Sequence, residues 1–371
     1  MMNIIEQIEK MKQIQNSILE FVDKEDDTEE YFQNIITQIE DINLSKKKKG
    51  MKTLLYLLSK ISNNHYRYPN FITKIERIIQ QYKQEITNFF SNFEIYKIFR
   101  KNCLILLFLY KEEIMKMDDD ISRIIPKRIF IYLFPEKSYE MKFIDKIPEN
   151  YEDKQIIGEN DDMISEIIRK DLIEDFITFV NKNNYSLKSK IKRSFFETND
   201  FLIKHGETTL IDYAAFFGST QIFKYLYTNG AEITSRLWLY GIHSDNPEII
   251  HHLLEKKVGP PNGSYEECIK EAIKCHHNDI TNYIQSNLIN EDIKSIIAIN
   301  FEENYKTNIY SYSFHYYNFS YFPSEIQYKI IFYYACQYDY LEIVEYFLNS
   351  FRIDITERII IIYKFLSNYK I

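Results

Sequence analysis

Apolar positions recur at steps of three and four through the first hundred residues, and each such stripe predicts one buried helix face. Ile4, Ile8, Met11, Ile14 or Ile18, and Phe21 mark the first. Phe32, Ile35, Ile36, Ile39 and Ile42 mark a second, with Asp27 and Glu30 spaced as its capped start. Leu54, Leu55, Leu58 and Ile61 predict a third helix. Ile75, Ile78, Ile79, Tyr82, Ile86 and Phe89, following Pro69, predict a long fourth, and Ile95 through Tyr110 a fifth. The short links between them predict antiparallel neighbours, so residues 1–117 read as an N-terminal helical bundle or solenoid.

Between Asp118 and about Asp161 the pattern weakens. Three aspartates (Asp118, Asp119, Asp120), Pro126, Pro135 and Pro148, and a polar stretch near Glu149 interrupt it. Residues 118–160 read as a connector with short helices. The six-residue apolar run Ile129 to Phe134 fits a strand and a buried helix equally. Helical spacing returns from Met163 to Val180 as a helix pair opening a third region, 161–371.

That region repeats itself. Residues 209–218 read TLIDYAAFFG, followed by STQIFKYLYTNGAEI. Further on, Gly241 and Ile242 stand where Ala214 and Ala215 do, Trp238 where Ile211 does, and Ile249, Ile250 and Leu253 where Ile222, Phe223 and Leu226 do. Ile269, Ala272, Ile273, Ile280 and Ile284 continue the frame once the turn GPPNG is allowed for, and Ala335, Cys336, Ile343, Val344 and Phe347 close it. The interval between the last two leaves room for one degenerate unit within 291–322. Small residues let paired helices approach, Gly218 supplies a permissive link, and Asn229 and Gly230 tolerate positive φ where a helix ends.

The stretch resembles the ankyrin repeat, whose pattern is TPLHxAAxxG, an IVxxLL helix and a glycine-containing turn. Leu210 replaces the usual proline and Asp212 the usual histidine. The fold expected is therefore all-α, an N-terminal helical region followed by a degenerate ankyrin-repeat α-solenoid. The run from Phe195 to Leu254, with SYSFHYYNFSYFP and FYYACQYDYLEIVEYFL downstream, is similar to a large trichomonad family that joins a helical N-terminal region of unknown function to ankyrin repeats. The resemblance implies a binding role and supplies no reaction. The apolar tail RIDITERIIIIYKFLSNYKI departs from the polar cap that repeat arrays need, and reads as a truncated repeat or an irregular cap. In an ankyrin stack the concave face is lined by first-helix residues beside and after the alanine pair. Here these are Tyr213, Phe216 and Phe217, then Tyr240, His243 and Ser244, then Glu271 and Lys274, then Tyr334, Gln337 and Tyr338. Tyrosine suits a binding surface, although 31 Tyr and 27 Phe also reflect a compositional drift that places aromatic rings everywhere.

Composition narrows the function classes. Glycine and proline number 8 each in 371 residues, against usual shares of about 7% and 5%, which disfavours turn-rich β folds and Gly-rich phosphate loops. A net charge of −8 argues against nucleic acid as a partner. The basic run Lys46 to Lys49 reads as a solvated link, with anionic lipid contact or nuclear import as the sharper alternatives. Four scattered cysteines imply a reducing compartment. No apolar run approaches the roughly 18 residues of a membrane span, and the start MMNIIEQIEKMK lacks a secretory core, so a soluble cytoplasmic protein is expected.

Candidate chemistry is sparse. Cys268, Cys275, His276 and His277 invite a zinc reading, but the repeat frame spreads them over one helix without a second ligand pair, so no metal or other cofactor is expected. His251 and His252 diverge as helix neighbours, and Trp238, the one tryptophan, takes a core position. No P-loop, dinucleotide, HExxH, nucleophile-elbow or kinase signature is present. The expectation is a non-catalytic scaffold or adaptor for an unidentified protein partner, with no small-molecule substrate. The alternative is that the repeats target an activity held in the N-terminal helices.

Overall fold

The computed structural model describes residues 4–25, 29–289, 308–323 and 328–350, and every regular element among them is helical. Asp27, residues 291–307 of the degenerate unit and the tail from Arg352 fall outside these ranges. No described helix is long and apolar enough to cross a membrane.

Two compact units interleave along the chain. The first draws on Met1–Lys60, Tyr68–Phe89 and Asn290–Ile371, and the second on Ile61–Arg67 and Phe90–Ile289. This differs from the expected boundaries after residues 117 and 160, because helical periodicity shows which face is buried but not which distant segment covers it.

In the first unit the expected stripe of the helix Ile4–Asp23 is buried against Glu29–Asp41, Phe71–Gln81 and the short turn Phe319–Tyr321. Lys74 is wholly buried, and its ammonium donates to the carbonyls of Phe21 (2.9 Å) and Lys24, closing the C-terminus of that first helix. The expected long fourth helix is two, Phe71–Gln81 and Lys83–Phe89, with Tyr82 buried at the break. The basic run forms the turn Leu44–Lys46 and the start of the helix Lys48–Asn64, where Lys46, Lys47 and Lys48 are exposed and Lys49 pairs with Glu345. Residues 308–316 are helical, and Tyr56 stacks on Tyr317 at 5.4 Å. A hairpin of Tyr328–Gln337 and Leu341–Ser350 completes the unit, with Ala335 and Phe347 buried and Cys336 and Val344 half-buried.

In the second unit the expected fifth helix is also two, Asn92–Phe99 and Cys103–Lys111. Asn102 restarts it, accepting from the amide of Ile105 (3.1 Å) while donating to the carbonyl of Ser62 (3.0 Å). The connector contains four short helices, and the undecided run lies largely in one of them, Lys127–Leu133. Tyr151 donates to the carbonyls of Ile131 (3.0 Å) and Tyr132 (3.2 Å), so this stretch belongs to the unit's core.

Four helical hairpins then pack in chain order. They are Met163–Arg169 with Ile173–Lys182, Leu210–Phe216 with Thr220–Thr228, Leu237–His243 with Pro247–Glu255, and Glu266–Cys275 with Asn278–Tyr283. Each first leg rests on the first leg of the next hairpin. The spine of Ile211, Ala214, Ala215, Trp238, Gly241, Ile242, Ile269, Ala272 and Ile273 is buried throughout, while Ile280 is half-buried.

Polar bonds tie each turn to its neighbour. Asp171 accepts from the amides of Gln221 (3.0 Å) and Ile222 (2.9 Å), so the turn of the first hairpin caps the outer leg of the second. Asn246 donates to the carbonyl of Gly218 (3.1 Å), whose φ of +66° only glycine adopts freely. Asp212 also explains itself. Its carboxylate accepts from the amide of Thr209 (3.1 Å) and its amide donates to the Thr209 hydroxyl (3.2 Å), a reciprocal cap that replaces the missing rigid proline.

Candidate functional site

The first legs of the second, third and fourth hairpins carry most of the residues expected to face a partner. Tyr213, Phe216, Tyr240, His243 and Ser244 are buried, and Phe217, Glu271 and Lys274 are half-buried. The chain itself covers them. The short helix Asp200–Lys204 sets the ring of Phe201 at 4.1 Å from His243, 5.0 Å from Tyr240 and 5.8 Å from Phe216. Residues 65–67 lie beside it, where the hydroxyl of Tyr66 donates to the carbonyl of Phe217 (3.2 Å) and Arg67 donates to Thr198 (2.8 Å). Tyr213 accepts from Arg169 (2.9 Å), and Tyr240 accepts from Arg236 (3.0 Å). Within the first unit, Tyr334 is buried and Gln337 and Tyr338 are half-buried. There Tyr334 stacks on Phe314 at 5.6 Å, and the hydroxyls of Tyr338 and Ser311 lie 3.0 Å apart. The line expected to be open is thus packed by the chain's own segments, and two of these, Asp200–Lys204 and residues 65–67, lie outside the hairpins and leave no mark on the repeat frame.

Beneath Phe201 the same line gathers reactive groups. His243 Nε2 meets Glu271 Oε1 at 2.6 Å, Lys274 donates to that oxygen at 2.6 Å, and the Cys275 thiol lies 3.4 Å from His243 Nδ1 and 3.8 Å from Nε2. Successive first legs place these residues side by side, one hairpin apart. Burial pushes the His243 imidazole below its ordinary range, against the pull of Glu271. Burial would raise the Glu271 carboxyl, but the Lys274 ammonium and His243 together hold it down to about 2. Burial, seconded by the charge of Glu271, pushes the Cys275 thiol well up.

No family model matches the chain, and neither a curated protein nor a solved structure matches it.

Of the four residues weighed for zinc, Cys275 alone enters this group. Cys268 is buried without joining it, and His277 turns away, its Nδ1 bonded to the carbonyl of Ile242 at 2.7 Å and its ring edge-on to His65 at 4.8 Å. His251 is exposed, and Trp238 is buried with its indole N–H donating to the carbonyl of Val258 (2.8 Å). A separate cleft of about 350 Å³ lies against Arg128, Asn160, Arg193, Glu197 and Tyr213, and Arg128 is committed there to the carbonyls of Phe195 and Glu197. Sequence reasoning named His243, Glu271, Lys274 and Cys275 in different roles. The signal that joins them is the repeat frame, which sets Glu271 and Cys275 one period beyond Tyr240 and Ser244, the neighbours of His243.

Proposed function

We propose that the chain is a non-catalytic interaction scaffold or adaptor whose hairpins are degenerate ankyrin repeats, of the kind found in the trichomonad family that the run Phe195 to Leu254 resembles. The observation that carries this reading is the chain-order stacking of first legs on small, buried residues: Ala214 and Ala215, then Gly241, then Ala272. The interleaved units count against the alternative, because residues 1–117 do not form a unit apart from the repeats. A partner meets the first-leg line at its half-buried rim, where Phe217 and Lys274 still reach the surface.

The test uses the intact chain. A protein captured on it is purified and recombined with it, and the complex is measured by titration calorimetry. Phe217→Ser and Lys274→Glu should each weaken binding by at least about tenfold, while Lys224→Glu on an outer leg leaves it unchanged. If all three variants bind like wild type, or if the purified chain turns over a substrate, the reading is wrong.

A further inference from the structure

We propose that His243, Glu271 and Cys275 form a site for a divalent transition-metal ion of the zinc type, with one coordination position left to water or an added ligand. The three ligand atoms lie within 4.8 Å of one another, on legs already held in place by the buried spine. A nitrogen, a carboxylate oxygen and a sulfur are a donor set that a borderline-soft cation takes, whereas calcium and magnesium ask for oxygen alone.

Small movements complete the site. Around a tetrahedral ion with bonds of about 2.0–2.3 Å, donor atoms stand roughly 3.3–3.6 Å apart. The His243–Glu271 contact of 2.6 Å has to open by less than about 1 Å, and the 3.8 Å from the thiol to His243 Nε2 is already close to the required spacing. The protein keeps a positive charge at this very oxygen, because the Lys274 ammonium stands 2.6 Å from Glu271 Oε1. Its side chain is 17% exposed, so its long stem can swing toward water when an ion takes its place.

The charges balance. In the metal-free state Glu271 is paired with Lys274, and the thiol is neutral. Binding forms a metal–sulfur bond, breaks the Cys275 S–H bond and releases that proton to solvent. The carboxylate and the thiolate together offset the two positive charges of the ion.

Cobalt(II) reports on the site directly. One equivalent added to the chelator-treated full chain should give the intense visible bands of tetrahedral cobalt and a near-ultraviolet thiolate-to-cobalt band. Cys275→Ser should abolish the thiolate band and Cys268→Ser should keep it. His243→Gln and Glu271→Gln should weaken zinc(II), measured by competition against cobalt, by more than about 100-fold, and Lys274→Met should tighten it. X-ray absorption of the zinc-loaded wild type needs no variant and should show one sulfur among nitrogen and oxygen ligands. No stoichiometric binding, two or more sulfur ligands, or a thiolate band that survives Cys275→Ser would each overturn the site.

Discussion

The backbone amide of Phe319 donates to the side-chain oxygen of Gln15 at 2.7 Å, joining residues that are 304 apart in sequence. The amide hydrogens of Gln15 go to Asn318 (3.2 Å) and Ser320 (3.1 Å), so a wholly buried glutamine holds the turn Phe319–Tyr321 against the first helix. Gln15→Leu keeps the volume and strands the Phe319 amide, a loss of about 1–3 kcal/mol. A urea midpoint equal to that of wild type would show that the turn is held by its rings alone.

At position 241 two effects oppose each other. Alanine is the better helix former by about 1 kcal/mol, but a Cβ on Gly241 would stand 2.9 Å from Cγ2 of Ile249, a stiff branched side chain in the packed spine. Steric conflict should win. Gly241→Ala is expected to lower the thermal midpoint, with a net loss of about 1–3 kcal/mol, and an unchanged or higher midpoint would mean that the hairpins are less tightly nested than described.

Tyr213 and Tyr240 read from sequence as contact residues, yet each is only 1% exposed. Truncation to alanine should therefore act on stability before it acts on any partner, at about 3–5 kcal/mol each, as for other large rings removed from a core. Denaturant melts of Tyr213→Ala and Tyr240→Ala decide the matter, since loss of a partner with wild-type stability is the result that a surface role requires.

Glu197 is buried, and its Oε2 has no hydrogen-bond partner among the described residues, while Oε1 accepts from the amide of Asn199 at 2.8 Å. Burial raises its carboxyl above the 4.5 of an ordinary glutamate, only partly countered by the Asn199 amide and Arg67. The folded state then holds its proton more tightly than the unfolded one. Its contribution is complete below pH 4.5 and is lost as pH rises through the folded value. Glu197→Gln, which keeps the Asn199 contact and removes the charge, should be more stable than wild type at pH 7, with the gain shrinking toward pH 4. Urea midpoints at the two pH values test this, and an equal gain at both would rule out ionisation as the cause.

Much of the helix inventory was legible because the apolar stripes at Ile4–Phe21, Phe32–Ile39 and Leu54–Ile61 carry the helical period without help from tertiary contacts. The breaks at Tyr82 and Asn102 were not, since periodicity runs through them. Asn102 ends one helix and starts another by bonding to Ser62, 40 residues away. The hairpin legs followed from the small residues Ala214, Ala215, Gly241 and Ala272, all of them buried where successive legs meet. What lies over those legs did not follow, because Phe201 and Tyr66 come from outside the repeat and leave no periodic trace. His243, Glu271 and Cys275 were each noticed for other reasons, and only the juxtaposition of consecutive legs unites them.

The interleaving of the two units has a consequence for synthesis. A ribosome delivers Gln15 and Tyr56 early and their counterparts Phe319 and Tyr317 late, after the entire stack of hairpins has emerged. Until then the first helices keep part of their apolar surface uncovered, and the first unit closes only when its C-terminal segments arrive.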